Sequence, residues 1–235
     1  MSRTESSSTM VQREVIEVFR RLGAIETGHF VYTSGKHGEV YVAKDLVVPS
    51  TRTVIDLTSM MSNEFHDEMI DTVIGIAPIG GIFASHLADW IQENTGRPTF
   101  AIFAEKKPFV DSTGRTVLNV PGGHHTDVLV VRESLRRFID PQQRILIVED
   151  IINTGKSVKA LIKLVRELGG EDIWGVVALW NRGGVTADDL DVPNLFSLCD
   201  VQYTAWDEID CPLCRENVPI NTEFGHGKEF VAAHS

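Results

Sequence analysis

The stretch that decides the fold is Ile145-Leu-Ile-Val-Glu-Asp-Ile-Ile-Asn-Thr-Gly-Lys-Ser157. Its first four residues are a short apolar run, read as a buried strand. Glu149 and Asp150 end that strand. Asn153 to Ser157 then open a helix whose Val158, Leu161, Ile162, Val165 and Leu168 fall at helical spacing. In an open parallel sheet, ligands bind beyond the carboxyl ends of the strands, where loops lead into helices. Backbone N–H groups of Thr154 to Ser157 and two hydroxyls then point at one spot, and Gly155 lets a phosphate approach the backbone closely. Two acids at a strand end are costly to bury, yet they suit a ligand with several hydroxyl donors, such as a ribose.

The same rhythm extends in both directions. Thr72–Ala77 is a β-branched run followed by Pro78-Ile-Gly-Gly81, and Ile82–Glu93 shows helical spacing through Leu87, Trp90 and Ile91. Thr99–Phe103 and Ile173–Leu179 are further short apolar runs, the second preceded by a Gly169-Gly170 helix stop. Short strands alternating with amphipathic helices predict an α/β fold, a parallel sheet with helices on both faces. Upstream, Val11, Val15, Val18 and Leu22 predict a helix with a Thr9/Gln12 capping box. Gly28–Tyr41 reads as an extended or hairpin segment, and Arg52–Ile70 as a second helix. Between Glu105 and Arg144 the rhythm breaks into loop chemistry, with strand-like runs around Val117 and Val128–Val131; a long loop of this kind is usually an active-site lid or a disordered insertion. After Asn181 the chain looks irregular apart from strand-like Leu195–Tyr203. The expected organisation is a disordered tail over 1–9, one domain over 10–185 with a hood loop at about 104–127, and a C-terminal extension, 186–235, packed on the same domain.

Composition narrows the function classes. The chain has 235 residues, 43% hydrophobic and 23% charged, enough to bury a real core. Its formal net charge of −11 argues against a nucleic-acid binder, so an anionic substrate has to be held by local donors. No stretch approaches a membrane span, the N-terminus lacks a secretory h-region, and three cysteines make no disulfide framework; a cytoplasmic protein is expected. Gly155-Lys156-Ser157 matches the end of a P-loop, but that motif needs glycine where this chain has Asp150.

The whole string 145–157 resembles the 5-phosphoribosyl-1-pyrophosphate (PRPP) motif of type I phosphoribosyltransferases. Further matches resemble the orotate branch of that family. Gly28-His-Phe-Val-Tyr-Thr-Ser-Gly-Lys-His37 is similar to its early strand with a substrate-contacting lysine, here Lys36. Ala77-Pro-Ile-Gly-Gly-Ile82 resembles its pyrophosphate loop, placing Ile79, Gly80 and Gly81 at PRPP, although a lysine is usual where Gly80 stands. Lys106 and Lys107 fall where the family has a mobile basic loop, and Asn181-Arg182 where its arginine pairs with the orotate carboxylate. The resemblance covers roughly residues 11–185. It implies that PRPP binds with Mg²⁺ through Lys36, Ile79 to Gly81, Glu149, Asp150 and Asn153, Thr154, Gly155, Lys156 and Ser157. It implies base contacts from Lys36, Asn153 and Arg182, and catalytic roles for Asp150, Glu149, Lys106 and Lys107. It further implies a homodimer, in which the loop lysine serves the neighbouring subunit. A phosphoribosyltransferase for purines or another base, and a regulatory PRPP-binding protein without turnover, stay open beside the orotate reading.

The metal reading is separate. The histidines include no H-E-x-x-H arrangement, so a catalytic zinc is not expected. Cys211-Pro-Leu-Cys214 is half of a structural zinc site, with only Cys199 and His226 nearby in sequence; the simpler reading is a tight turn with two small buried thiols.

Overall fold

The structure, a computed structural model, describes residues 2–65, 67–107 and 128–234. In chain order come α1 (Ser2–Arg21), β1 (Ile25–Val31), β2 (His37–Val42), α2 (Thr51–Ser62), β3 (Thr72–Ile76), α3 (Ile79–Thr95), β4 (Phe100–Lys107) and β5 (Val128–Val130). They are followed by β6 (Arg144–Ile152), α4 (Lys156–Glu167), β7 (Asp172–Asn181), α5 (Ala187–Leu190), β8 (Leu195–Cys199), β9 (Ala205–Trp206), α6 (Pro212–Arg215) and α7 (Gly227–Ala233). Two compact units emerge, one of residues 54–198 and one of residues 1–53 with 199–235.

The 54–198 unit is built on a six-stranded sheet of order β5-β4-β3-β6-β7-β8. β4, β3, β6 and β7 are parallel, and β5 returns antiparallel on β4. Every residue of β3 is buried, as a strand covered on both faces must be. β6 shows how the covering works. Ile145 and Ile147 share a core cluster with Val158, Leu161, Ile162 and Val165 of α4, while Leu146 and Val148, pointing the other way, are fully buried too. The opposite face has α3, whose start sits so close to β3 that a Cβ on Gly75 would lie 2.2 Å from the Gly80 carbonyl oxygen.

The second unit carries the antiparallel sheet β1-β2-β9. Its hairpin, predicted over Gly28–Tyr41, pairs Val31 with His37 and Ile25 with Val42. The C-terminal segment runs along β1: Asn221 N–H donates to the His29 carbonyl (2.7 Å) and His226 N–H to that of Val31 (2.8 Å).

Several boundaries differ from the sequence reading. α1 begins at Ser2, where a disordered tail was expected over 1–9, because an amphipathic helix once nucleated extends at little cost through small polar residues. α2 stops at Ser62, well before Ile70. β6 continues through Ile152, since its ladder with β7 runs on to the Ile152–Asn181 pair; Glu149 and Asp150 therefore lie inside the strand. The division of the chain also differs. Residues 186–198 belong with the large sheet, and the rest of the expected extension joins the N-terminal segment. The strand-like run near Val117 and most of the expected hood loop lie outside the described residues.

Candidate active site

Strand order locates the site. The chain leaves β3 toward β4 on one side, returns to β6 on the other side of β3, and continues outward to β7. The connections diverge between β3 and β6, and an open α/β sheet binds ligands at the carboxyl end of such a switch point. Two connections leave the sheet at this end: 77–78 after β3, and 153–155 after β6. The first turn of α3 rests on β6 beside them, since a Cβ on Gly80 would lie 3.4 Å from the Val148 carbonyl oxygen.

At the β6 end, Glu149 and Asp150 are 7% and 4% exposed. Each carboxylate accepts from the next backbone amide, Asp150 N–H to Glu149 Oε1 (3.1 Å) and Ile151 N–H to Asp150 Oδ1 (2.5 Å). Such local bonds fix the carboxylates on the strand backbone. Beyond them the chain turns sharply. Gly155 adopts φ +71° and is buried against Leu190 and Val185, whereas Asn153, Thr154, Lys156 and Ser157 are exposed around it. Gly155 is the N-cap residue of α4, so the first amides of that helix have no acceptor inside it. Backbone amides left open in this way at a helix start are donors suited to an anion.

The next strand completes this corner. Arg182 Nε donates to Asn153 Oδ1 (2.9 Å), which joins two of the three residues expected to meet the base. Arg182 N–H and Gly183 N–H both donate to the Ile152 carbonyl, at 2.9 and 3.1 Å. Asn181, 6% exposed, holds the turn by donating to the Val185 carbonyl (2.7 Å) and accepting from its amide (3.1 Å). A Cβ on Gly183 would lie 1.4 Å from the Asn153 carbonyl oxygen, so only glycine permits this approach.

The pyrophosphate-loop residues divide in role. Ile79 and Gly80 are buried and Gly81 packs against Phe103, with 3.3 Å from its ideal Cβ position to the Phe103 Cβ. The first α-helical bond here runs from Ile82 N–H to the Pro78 carbonyl, so the amides of Ile79, Gly80 and Gly81 are what this loop offers to a ligand.

Lys106 and Lys107, expected in a loop, are the last residues of β4 and pair with Leu129 and Val128. They stand at the same carboxyl edge, since Ala104 pairs with Ile76 and accepts from Ala77 N–H (2.9 Å). Sequence reading missed Arg132, which forks onto Glu105 (Nε to Oε2 3.2 Å, Nη2 to Oε1 2.5 Å). That hydrogen bond holds the Glu105 carboxyl below its usual range and keeps the acid paired beside the two lysines. His124 and His125 lie outside the described residues.

Lys36 belongs to the other unit, on the β1–β2 turn, where its ammonium pairs with Asp207 at 3.2 Å. Both side chains are largely exposed, so this pair contributes little and leaves Lys36 available. Cys211 and Cys214 meet neither Cys199 nor His226; their partners are His29 and His37. Both histidines stand in the string 28–37, and their placement on facing arms of a hairpin is the signal that would have found them.

Comparison with known proteins agrees with this geometry. A family model described as phosphoribosyl transferase domain matches residues 49–208. An orotate phosphoribosyltransferase of Caldanaerobacter subterraneus is 33% identical over 213 residues, covering 90% of this chain and 96% of its own. One from Thermus thermophilus is 33% identical over 208 residues, covering 88% and 98%. Among solved structures, orotate phosphoribosyltransferase from Aeropyrum pernix has a TM-score of 0.56 at 21% identity, covering 78% of this chain and 91% of that one. Adenine phosphoribosyltransferase from Rhodothermus marinus has a TM-score of 0.55 at 22% identity, covering 80% and 99%. The fold is thus common to enzymes of both bases, while the sequence relatives at 33% are orotate enzymes. With its switch-point crevice and the string 145–157 lying inside the matched span, the chain belongs to the phosphoribosyltransferase family.

Proposed function

We propose that this protein transfers the 5-phosphoribosyl group of PRPP to orotate, giving orotidine 5′-monophosphate and pyrophosphate. The observation that carries the reading is the Arg182–Asn153 bond, which ties the Arg182 side chain to the loop that leads into α4. Arginine presents a planar fork that matches a carboxylate, the group that sets orotate apart from other bases. Relatives at 33% identity that carry the orotate name support the same choice of base.

In this scheme the amides and hydroxyls of Thr154 to Ser157 hold the 5′-phosphate. Glu149 and Asp150 accept from the ribose hydroxyls. The N–H groups of Ile79 to Gly81 face the pyrophosphate, and Lys106 and Lys107 neutralise it from the β4 end. A ring nitrogen of orotate attacks C1 of the ribose as the C1–oxygen bond to pyrophosphate breaks. Positive charge grows on the sugar and negative charge on the leaving group, so buried carboxylates near the first and lysines near the second favour the transition state. The oxygen-only donor set at the crevice fits Mg²⁺, which takes one or two carboxylates plus substrate phosphates and would supply charge neutralisation of the pyrophosphate when bound. Lys36 keeps the PRPP and base contacts that the family resemblance gives it, and it stands in the unit of residues 1–53 and 199–235. We also take the active form to be a cytoplasmic homodimer.

Calorimetric titration of PRPP with Mg²⁺, followed by pyrophosphate release on adding orotate, tests the reading. Binding followed by orotate-dependent release is expected. Binding with no release for any base would mark a regulatory PRPP-binding protein, and release with purines alone would move the acceptor.

A further inference from the structure

The unit of residues 1–53 and 199–235 holds a second group of chemistry-bearing side chains that the transfer reaction does not use. His29 on β1, His37 on β2, and Cys211 and Cys214 flanking the start of α6 bring one ligand atom each to within 4.8 Å of one another. His29 is 2% exposed, and His37 and Cys211 are fully buried. Cys211 Sγ and Cys214 Sγ each lie 3.6 Å from His29 Nε2, and Cys214 Sγ lies 3.3 Å from His37 Nδ1. The two imidazole nitrogens are 2.8 Å apart.

These distances are those of a tetrahedron's edges. With metal–sulfur bonds near 2.3 Å and metal–nitrogen bonds near 2.0–2.1 Å, the sulfur-to-nitrogen edge comes to about 3.5 Å and the nitrogen-to-nitrogen edge to about 3.3 Å. The sulfur–nitrogen contacts already have that length, and the imidazole pair needs to open by only about half an ångström to match.

The surroundings fix the ligands in the correct form. His29 Nδ1 lies 2.8 Å from the Val218 carbonyl oxygen, which can only accept, so the ring proton sits on Nδ1 and the Nε2 lone pair points into the cluster. His37 Nε2, by contrast, is buried without a hydrogen-bond partner, which leaves its Nδ1 as the nitrogen the fold has put to use. A hairpin core built from two imidazoles and two thiols, with no ion among them, would leave polar groups poorly paired where apolar ones would pack better.

We propose that His29, His37, Cys211 and Cys214 form a structural zinc site that clips the C-terminal segment to the β1–β2 hairpin. Two thiolates and two imidazoles in tetrahedral array select zinc, and four protein ligands leave no position for a substrate. The two thiolates balance the charge of the ion. The site joins residues far apart in sequence, and the main-chain bonds from Asn221 and His226 to β1 hold the same segment beside it. Cys199 lies outside the cluster.

The test uses the full chain, purified without a histidine tag and analysed for metals by mass spectrometry. About one zinc per chain is expected, kept through dialysis and released when a mercurial reagent blocks the thiols. Cys211→Ser with Cys214→Ser should lower the zinc content about tenfold or more, while Cys199→Ser retains it. Because the double variant can fail to fold, the unmodified chain is also loaded with Co²⁺. Tetrahedral d–d bands with thiolate-to-cobalt charge transfer are expected. A chain that takes up no zinc or cobalt, one whose two thiols are joined as a disulfide, or a cobalt spectrum without the thiolate band would overturn the proposal.

Discussion

Gly183 has no side chain because the Asn153 carbonyl oxygen occupies the space a Cβ would need. Gly183→Ala must therefore pry the β7 turn from the β6 loop and break the Arg182–Asn153 bond. A stability loss of about 2 kcal/mol is expected, read by chemical denaturation, together with a raised KM for orotate. Arg182→Lys keeps the charge but loses the fork, so the KM for orotate should rise about tenfold with the KM for PRPP unchanged. A parallel rise in both constants would contradict the assignment of Arg182 to the base. Asp150→Asn should lower kcat by about a hundredfold without changing the melting temperature, because it removes charge facing the developing cation. The string 145–157 was legible as local structure, because the strand, the Gly155 turn and the start of α4 follow one another in one contiguous run. Arg132 and Gly183 were not legible, since each acts through a partner brought near only by sheet pairing.

Elements decide how firmly the crevice is built. Gly75 and Gly80 let the first turn of α3 rest on β3, and the two substitutions differ in their expected cost. An added Cβ at Gly75 meets backbone at 2.2 Å, whereas one at Gly80 finds its nearest neighbour at 3.1 Å. Gly75→Ala should then cost about 3 kcal/mol and Gly80→Ala about 1 kcal/mol, measured in the same denaturant series. This packing also gives a physical reason for glycine where the family usually has lysine: the position is buried beside β6, and its amide is what it offers to a ligand. At the β4 end, Arg132 lowers the Glu105 carboxyl from its ordinary value of 4.5. A depressed carboxyl pKa gives stabilisation that is present above that ordinary value and lost as pH falls through the folded one. Carbon NMR of the Glu105 carboxyl should show the low midpoint, and Arg132→Ala should return it upward. Strand and helix order was readable from hydrophobic periodicity, but strand ends were not. β4 and β6 both run past their apolar stretches because ladder partners on β5 and β7 continue beside them.

For the molecule as a whole, the α/β fold followed from the alternation of strands and helices, whereas the division into two units did not. The second unit unites the first 53 residues with the last part of the chain, and no local pattern reports a pairing so distant in sequence. Zinc removal from that unit should raise amide exchange in residues 25–42 and 205–227 while the core of β3 and β6 keeps its protection, as seen by mass spectrometry. The acidic overall balance leaves anion binding to the local amides and lysines at the carboxyl edge, so activity should respond more to changes at that edge than to bulk salt. The identity of the base decides what this enzyme makes. The most direct measurement is pyrophosphate release from PRPP and Mg²⁺ with orotate, uracil, adenine, hypoxanthine and guanine supplied in turn to the purified chain. Release with orotate, accompanied by orotidine 5′-monophosphate and at least about a hundredfold above the other bases in kcat/KM, is the predicted result. Turnover of a purine at a rate that orotate does not reach would contradict it.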